Sequence, residues 1–486
     1  MSALQITAGY LPAGFSEDVP WQTLQFESAG QTLEVRVPSP TPAQLTALAR
    51  HVRQAAQNNL QRMTVTELIG VIDRAVAQLL DRDHPHRLQA QTLLPRITGL
   101  DADTVRLGLT GYLKTFRAPQ LHRFVAEDFA NPKLLDEFQP RPKGGMAKAM
   151  GPGLMAHVWA GNVPGLPLWS LISGLLVKAG HVGKVSSSEP LMASLFVQAL
   201  VALEPRLADA LAVVGWKGGD TAREQALFAQ ADVVAAYGGN AALTQVRQQV
   251  PITTRFLPFG HKLSFAMVAR SALDARQAPL TAQQLAHDVT RYDQQGCYSP
   301  QLVYVERGGA VPPIEFAQQV HSALQALTHA HPRRRLSLEE SAAVAAWRQQ
   351  HELQSFNDAG ITLLGDAASP VAVVFTEHAQ ALSPSALNRS LLVVAVDRLE
   401  AVAPLIAPQR DYLQTVGVAA DPQQLLALAK QLGQVGVTRL CALGAMTTPE
   451  AGWHHDGRFN LLDLVRMVEV EQSAEDAAES FAPYRD

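Results

Sequence analysis

The sequence contains 486 residues, 47% of them hydrophobic, which is more than one hydrophobic core usually organises, so we expect a pair of domains. Its formal net charge of −4 is small and both signs are dispersed, which gives no reason to expect a nucleic-acid partner or an acidic membrane surface. Cys297 and Cys441 are the only cysteines, which excludes a disulfide framework and suits a reducing compartment.

The N-terminal region, up to about Pro140, predicts a short strand at 32–37 followed by helices. PAQLTALARHVRQAAQNNL and TVTELIGVIDRAVAQLL carry apolar residues at helical spacing, each with a threonine at its start that can cap the helix. The first residues lack the pattern of a secretory signal, and no apolar run is long enough to span a bilayer. We therefore expect a soluble, cytoplasmic protein. The Gly-, Pro- and Lys-rich segment 139–153 predicts a boundary or a crossing loop.

From Leu154 onward, apolar stretches of strand length alternate with helix-length segments, which is typical of a parallel α/β sheet. The first strands are LMAHVW, HVGKVS, LAVVGW and DVVAAY, and a nucleotide-binding crevice is expected at their carboxyl ends. Beyond Lys262, the segments LSFAMV, QLVYVE, VAVVF, LLVVAV and TVGVAA predict a second α/β unit. The tail holds an alternating strand, LVRMVEVEQ, and then an acidic stretch that we expect to be frayed.

Cys297 is the strongest candidate for a nucleophile. It lies in YDQQGCYSPQLVYVE, in a tight polar loop between a helical segment and a strand, where its sulfur can be exposed. The alternative, an inert buried cysteine, fits Cys441 in TRLCALG better. Loop placement alone leaves the two interpretations of Cys297 about equally supported.

Three further segments have both a structural and a functional interpretation. Asn162, in WAGNVPG, either caps a turn or presents an N–H group to a developing oxyanion. Lys184 is either simply a lysine at a strand edge or a cation at a strand end that can meet a ribose or a phosphate. Gly238 and Gly239 lie between a strand and a helix, where backbone N–H groups can approach phosphates, although no GxGxxG is present.

The histidines carry no metal signature, because the sequence has no HExxH and no cysteine pair at ligand spacing. His454, His455 and Asp456 form either a structural loop or a catalytic element, and the structural alternative is favoured. The run 333–335 is three arginines before a helix start, which is most often a solvated loop and in a minority of cases a phosphate-binding site.

Taken together, these segments resemble the aldehyde dehydrogenase superfamily, and its fatty acyl-CoA reductase (LuxC-type) branch of bacterial luminescence in particular. The resemblance covers roughly residues 151–471. It rests on five short motifs that occur in the family's order: AGNVPG, YGGN, GHKLS, QQGCYSPQ and WHHDGRFNLLDLVR. The resemblance implies an α/β fold with two doubly wound domains and a small β oligomerisation or bridging element. The implied divisions are 1–260 with the nucleotide-binding domain, 261–450 with Cys297, and a C-terminal segment, 451–486, that returns to the cofactor domain or bridges to a partner subunit.

The resemblance also implies roles for individual residues. Asn162 matches the asparagine that helps to form the oxyanion hole, and Lys184 matches the lysine that contacts the cofactor ribose. Where NAD-preferring members often hold a Glu, this chain has Ser187, which leaves room for the 2′-phosphate and favours NADPH. Gly238 and Gly239 match the family's Gly-Ser pair before a helix.

The main departure from the superfamily is the loss of a general base. Hydrolytic members carry Glu-Leu-Gly-Gly-Lys where this chain has PFGHK, so Pro258 replaces the Glu that activates water. The acyl group should then persist until it is exchanged or reduced, which favours thioester chemistry over aldehyde oxidation. His261 stands near the vacated place and is our candidate to lower the cysteine pKa or to shuttle a proton. No residue matches the Glu that steadies the nicotinamide ribose.

The sequence thus predicts NADPH-dependent reduction of an acyl-CoA thioester, long-chain by resemblance, through a thioacyl group on Cys297, with coenzyme A as leaving group. The acyl donor is left open among acyl-CoA, an acyl carrier protein and a partner enzyme that transfers the acyl group. A homo-oligomer is expected, and no metal. The alternatives are an NAD(P)-dependent aldehyde dehydrogenase and a catalytically silent nucleotide-binding scaffold subunit.

Overall fold

The computed structural model describes residues 4–15, 18–28 and 30–483. The chain forms two compact units, each described separately below. The first unit comprises Met1–Thr98, Leu109–Gly260 and Glu450–Asp486, and the second comprises Gly99–Gly108 and His261–Pro449. In the described ranges, no helix combines the length and the apolarity that crossing a membrane requires.

The first unit begins with a three-stranded sheet of β1 (Leu4–Thr7), β2 (Trp21–Ser28) and β3 (Gln31–Pro38). β3 lies in the middle, parallel to β1 and antiparallel to β2. The predicted strand 32–37 is therefore the centre of a sheet whose other two strands were not predicted. The helices that follow along the chain are α1 (Pro42–Asn58), α2 (Val65–Leu80), α3 (Pro85–Thr98), α4 (Ala102–Lys114) and α5 (Ala118–Asp128), and α4 up to Gly108 belongs to the second unit.

Capping boxes fix where the first two helices begin. The hydroxyl of Thr41 accepts from the Gln44 N–H, while the Gln44 side chain accepts from the Thr41 N–H, and Thr64 and Glu67 repeat the arrangement before α2.

The segment 139–153, predicted to be a boundary or loop, instead contains two short strands, β4 (Gln139–Pro140) and β5 (Met146–Met150).

A five-stranded parallel sheet forms the centre of the first unit, and its order is β10-β9-β6-β7-β8. Four of its strands are almost wholly buried, as expected of a parallel sheet covered by helices on its faces, while the edge strand β10 is exposed or partly exposed throughout. The strands are β6 (Leu154–Val158), β7 (Gly180–Lys184), β8 (Leu211–Val214), β9 (Val233–Tyr237) and β10 (Arg255–Phe259). The connecting helices are α6 (Pro167–Leu176), α7 (Met192–Leu203), α8 (Thr221–Phe228) and α9 (Asn240–Gln249).

The second unit is built on a seven-stranded sheet of order β13-β14-β15-β12-β11-β16-β17, parallel except where β13 pairs antiparallel with β14. Buried apolar clusters lie on both of its faces. The strands are β11 (Leu263–Val268), β12 (Pro300–Glu306), β13 (Ile361–Leu364), β14 (Ala372–Thr376), β15 (Ser390–Val396), β16 (Leu413–Ala419) and β17 (Arg439–Ala442). The helices are α10 (Gln277–Thr290), α11 (Pro313–Ala330), α12 (Leu338–Asn357), α13 (Val402–Ile406) and α14 (Pro422–Gln434).

The C-terminal segment completes a third sheet in the first unit. β18 (Arg466–Val470) pairs antiparallel with β5, which in turn pairs with β4. The acidic tail that was expected to be frayed forms a helix, α15 (Gln472–Glu479), because QSAEDAAE is rich in residues of high helix propensity. The predicted α/β architecture of doubly wound parallel sheets is confirmed.

Candidate active site

Cys297 is half-buried in the loop between the short helical turn Arg291–Gln294 and β12 of the second unit. Its backbone is tied to the middle of the sheet, since the Ser264 hydroxyl on β11 donates to the Cys297 carbonyl at 2.7 Å. The same hydroxyl accepts from the Thr415 N–H on β16 at 3.2 Å. The buried Ser264 hydroxyl therefore links the nucleophile loop to β16 and fixes its backbone.

The residue before the cysteine must be small. A Cβ on Gly296 would stand 2.4 Å from the ring of Tyr298, closer than real Cβ atoms approach their neighbours. Burial strongly raises the pKa of the Tyr298 phenol, so that phenol stays neutral beside the thiol. The Gly-Cys-Tyr sequence thus packs the loop tightly around the sulfur-bearing residue.

Three consecutive residues before this loop, Tyr292, Asp293 and Gln294, have φ values of 50°, 51° and 63°. Left-handed backbone at a non-glycine residue costs roughly 1–3 kcal/mol and persists only where surrounding contacts fix it. The buried Gln294 side chain supplies such contacts: its amide N–H groups donate to the carbonyls of Pro300 and Ser390, and its amide oxygen accepts from the Ser390 N–H.

Asp293 provides the second anchor of this turn. Its carboxylate lies 2.7 Å from Arg389 Nε, and both side chains are at most 2% exposed. It also accepts from the Arg334 N–H at 3.1 Å. Asn388 donates its own N–H to the Asp293 carbonyl, and the run Leu387–Asn388–Arg389 is itself left-handed. Two left-handed three-residue turns, 292–294 and 387–389, are therefore joined by hydrogen bonds and an ion pair next to the nucleophile loop.

The other cysteine lies in a different environment. Cys441 is on β17, and burial raises the pKa of its thiol to about 11. At neutral pH this sulfur is protonated, and a protonated thiol is a poor nucleophile. The comparison favours Cys297 as the reactive cysteine.

His261 begins the second unit, and its ring lies 6.4 Å from that of Tyr412. The residue is exposed, yet partial burial of its ring lowers the pKa of the imidazole, which favours the neutral, proton-accepting form near pH 7. In the described part of the chain, the ring makes no hydrogen bond, so the structure does not orient it against Cys297.

The remaining candidates belong to the first unit and lie at one edge of its sheet. Asn162 follows β6, Ser187 follows β7 and Gly238 follows β9, and these three strands are neighbours in the order β9-β6-β7. Because the carboxyl ends of parallel strands meet at the same edge, the structure brings these residues to one crevice, where such sheets bind nucleotides.

The turn that carries Asn162 is held by close packing. Asn162 itself is exposed, but a Cβ on the preceding Gly161 would stand 2.3 Å from Ser188 Oγ and 2.8 Å from the Glu189 nitrogen. The Trp159 N–H donates to the Lys184 carbonyl at 3.0 Å. The Asn162 turn therefore lies directly against the loop that follows β7.

Sequence reasoning missed Glu189, which joins these two loops. It is 2% exposed, and its carboxylate accepts from the N–H groups of Leu191 and Met192 at 2.7 and 3.0 Å, at the start of α7. Burial raises the pKa of Glu189, and the N–H groups of Met192, Leu191 and Gly165 oppose the rise. An acidic residue next to a proline at a helix start is the signal that could have identified it.

Lys184 is the last residue of β7 and is 8% exposed. Burial lowers the pKa of its ammonium group, and the carboxylate of Glu224 opposes that shift. Ser187, on the next turn, is exposed, and its hydroxyl makes no hydrogen bond within the described residues. A buried cation and an unengaged hydroxyl at one strand end suit a polar anionic ligand.

Gly238 and Gly239 lead from β9 into α9. A Cβ on Gly239 would meet no atom within 4 Å, and one on Gly238 would meet only the Ala242 Cβ, at 3.7 Å. The protein itself therefore does not require glycine here. Open space beside the N–H groups at the start of a ten-residue helix fits a phosphate that approaches the backbone.

Pro258 pairs within the parallel sheet, and His455 packs among aromatic rings. Pro258 lies within β10 opposite Ala236, so the segment 258–262 offers no carboxylate. His455 stacks on Phe259 and lies against Trp453, with ring centroids 4.8 Å apart in both cases. Among the described residues, no group of three or more His, Cys, Asp or Glu side chains could hold a metal ion.

Comparison with known proteins identifies the family of this chain. Residues 60–467 match the family model described as acyl-CoA reductase (LuxC). The long-chain acyl-protein thioester reductase of Aliivibrio fischeri is 27% identical over 355 residues, covering 72% of this chain and 71% of that protein.

Two solved structures share the fold. The aldehyde dehydrogenase KauB from Pseudomonas aeruginosa superimposes with a TM-score of 0.74 at 15% identity, covering 96% of each chain. The NADP-dependent glyceraldehyde-3-phosphate dehydrogenase from Bacillus halodurans, solved with NADP, gives a TM-score of 0.72 at 15% identity, covering 96% of this chain and 100% of that one. The chain therefore has the aldehyde dehydrogenase fold and belongs to the acyl-CoA reductase (LuxC) family.

Proposed function

We propose that this reductase converts a long-chain acyl thioester to the aldehyde with NADPH, through a thioacyl group on Cys297. The observation that carries the proposal is a half-buried cysteine on a braced loop in a chain whose segment 258–262 has no carboxylate to activate water. Such an enzyme can form a thioacyl group without hydrolysing it to an acid.

In the proposed mechanism, the Cys297 thiolate attacks the thioester carbonyl, and the leaving thiol departs as the carbonyl reforms. The Asn162 amide and the Cys297 N–H stabilise the oxyanion. His261 takes the proton of the Cys297 thiol, for which a neutral imidazole with a lowered pKa is suited. A bound reduced nicotinamide would supply the hydride for the thioacyl carbon. The C–S bond to Cys297 then breaks as the carbonyl forms, which releases the aldehyde and returns the thiolate.

The crevice at the carboxyl ends of β9, β6 and β7 supports the cofactor assignment. Lys184 and the open approach at Gly238 and Gly239 fit a ribose and a diphosphate. The exposed hydroxyl of Ser187 favours the 2′-phosphate of NADP over the 2′-hydroxyl of NAD. The Bacillus halodurans neighbour was solved with NADP on the same fold.

The acyl donor is proposed to be acyl-CoA, with coenzyme A as leaving group, in keeping with the description of the family. The name of the Aliivibrio fischeri relative instead supports an acyl-protein donor, so that a partner enzyme would supply the acyl group.

We also propose a homo-oligomer, since β18 is an edge strand that leaves Met467 44% and Val468 38% exposed.

Acyl transfer to the protein tests the proposal. Incubation with a long-chain acyl-CoA and no reduced cofactor should add one acyl mass, observed by mass spectrometry, to the wild type and to Cys441→Ala but not to Cys297→Ala. Added coenzyme A should remove it. Rapid release of free acid would refute the reductase mechanism, and acylation of Cys297→Ala would refute the covalent role of this residue.

A further inference from the structure

The mechanism leaves unused a cavity of about 690 Å³ in the second unit, which we call the arginine cavity. It lies at the loop between α11 and α12, beside the segment that leads into β14. Its lining includes Thr328, Arg333, Arg334, Arg335, Ser341 and Pro370. The volume falls in the range of small-molecule sites.

Two of its guanidinium groups lack a carboxylate partner. Arg335 is exposed and makes no hydrogen bond or ion pair within the described residues. Arg333 is half-buried and donates only to backbone carbonyls, those of Pro370 at 2.9 Å and Asn388 at 3.3 Å. Arg334, by contrast, is neutralised by the Glu340 carboxylate. The cavity wall therefore presents two uncompensated positive charges.

Neighbouring side chains add to this positive charge. Burial lowers the pKa of Arg333; the carboxylate of Asp293 opposes this shift, while the charges of Arg389, Arg334 and Arg348 add to it. The Asp293 carboxylate is already paired with Arg389. Arg348 is also buried and donates only to backbone carbonyls, and the carboxylates of Asp366 and Glu352 offset part of its charge. A bound anion would offset charge that the protein itself leaves unpaired.

The side chains that line the cavity indicate which anion it would bind. Guanidinium groups form forked hydrogen bonds that match phosphate oxygens. Ser341 adds a hydroxyl near the start of α12, where the carboxylates of Glu339 and Glu340 also lie and Glu340 is paired with Arg334. We propose that the arginine cavity binds a phosphoryl or diphosphoryl group, held by Arg333 and Arg335.

This site belongs to the hydrogen-bond network of the nucleophile loop. The Asn388 side-chain oxygen accepts from Arg334 Nη2 and from Gln295 Nε2, both at 3.1 Å. Gln295 is two residues before Cys297. One side chain, that of Asn388, therefore links Arg334 in the cavity wall to the loop that carries the reactive cysteine.

Calorimetric titration of the full-length protein with inorganic diphosphate, and separately with adenosine 3′,5′-bisphosphate, tests the site. Both titrations are repeated under saturating NADP, because the crevice of the first unit is also proposed to bind phosphates. The test variant is Arg335→Gln, whose side chain makes no contacts that folding needs. Arg276→Gln is the matched control, since Arg276 is an exposed arginine of the same unit outside the cavity.

We expect Arg335→Gln to weaken binding under NADP by roughly 10- to 100-fold, as for the loss of charge-assisted hydrogen bonds, Arg335→Lys to weaken it less, and Arg276→Gln to leave it unchanged. Tighter binding of the bisphosphate than of diphosphate would identify a nucleotide such as that of coenzyme A as the source, and equal binding would identify free phosphates. The proposal is overturned if Arg335→Gln binds both probes like the wild type, or if neither probe binds the wild-type protein with or without NADP.

Discussion

The buried pair under the nucleophile loop allows a quantitative prediction for Arg389→Met. Arg389 donates to the Asp293 carboxylate at 2.7 Å, to Thr328 Oγ at 2.7 Å and to the His331 carbonyl at 2.8 Å. Methionine fills similar volume but donates none of these bonds. The substitution leaves the Asp293 carboxylate, which is 1% exposed, without its cationic partner.

Removal of one member of a buried ion pair typically costs about 3–5 kcal/mol, because the remaining charge is left desolvated. A domain of 150–250 residues loses about 2–4 °C in Tm for each kcal/mol, so the second unit should melt about 6–20 °C lower. The left-handed turn at 292–294 should loosen with the pair, and the rate of Cys297 acylation should fall as well.

Scanning calorimetry and the acylation rate, measured by mass spectrometry, check this prediction. Arg398→Met is the matched control, because its partner Glu400 lies 3.5 Å away in a pair that is 71% and 37% exposed. Such a pair contributes at most about 1 kcal/mol. If Arg389→Met melts no lower than Arg398→Met, the buried pair does not brace the loop as described.

Three further substitutions test other parts of the site. Ser187→Glu should shift the preference from NADPH toward NADH in steady-state kinetics, because a carboxylate repels the 2′-phosphate; an unchanged ratio of kcat/KM values would show that this turn does not read the phosphate. His261→Ala should slow acylation by ~10² to 10⁴ with little change in acyl-CoA affinity, and a wild-type rate in stopped-flow would remove His261 from the mechanism. Burial raises the pKa of Glu189, so its stability contribution is present below the unfolded-state pKa of about 4.3 and is lost as pH rises through the folded-state pKa. The free energy of unfolding of Glu189→Gln, measured relative to that of the wild type, should therefore be higher at pH 8 than at pH 4. Urea unfolding that gives the same difference between the two proteins at both pH values would contradict this.

The parallel sheets could be predicted because their strands are continuous apolar runs, such as VVAAY in β9, separated by helix-length segments. Some strands with little buried surface were missed, among them β10, whose residues are exposed or partly exposed. β2 alternates between exposed and intermediate positions along WQTLQFES, and β5 is a five-residue strand inside a Gly- and Pro-rich segment. Each depends on pairing with a neighbouring strand rather than on its own composition.

The site could be predicted only in part, for the same physical reason. Cys297 and Asn162 stand out because their segments combine turn residues with reactive or polar side chains. The left-handed turn at Tyr292–Gln294 contains no glycine and depends on contacts with Arg389 and Ser390, nearly one hundred residues later. Such long-range bracing leaves no local signal in the sequence.

The sheet formed by β5 and β18 has a consequence for how the chain is made. Met150 pairs with Arg466, so roughly 300 residues, including the whole of the seven-stranded sheet, emerge from the ribosome between the two partners. At about 5–20 residues per second, β5 waits on the order of 15–60 s for the strand that completes its sheet. During synthesis, the first unit therefore exposes the edge of β5, and the second unit has all of its strands before the first one does.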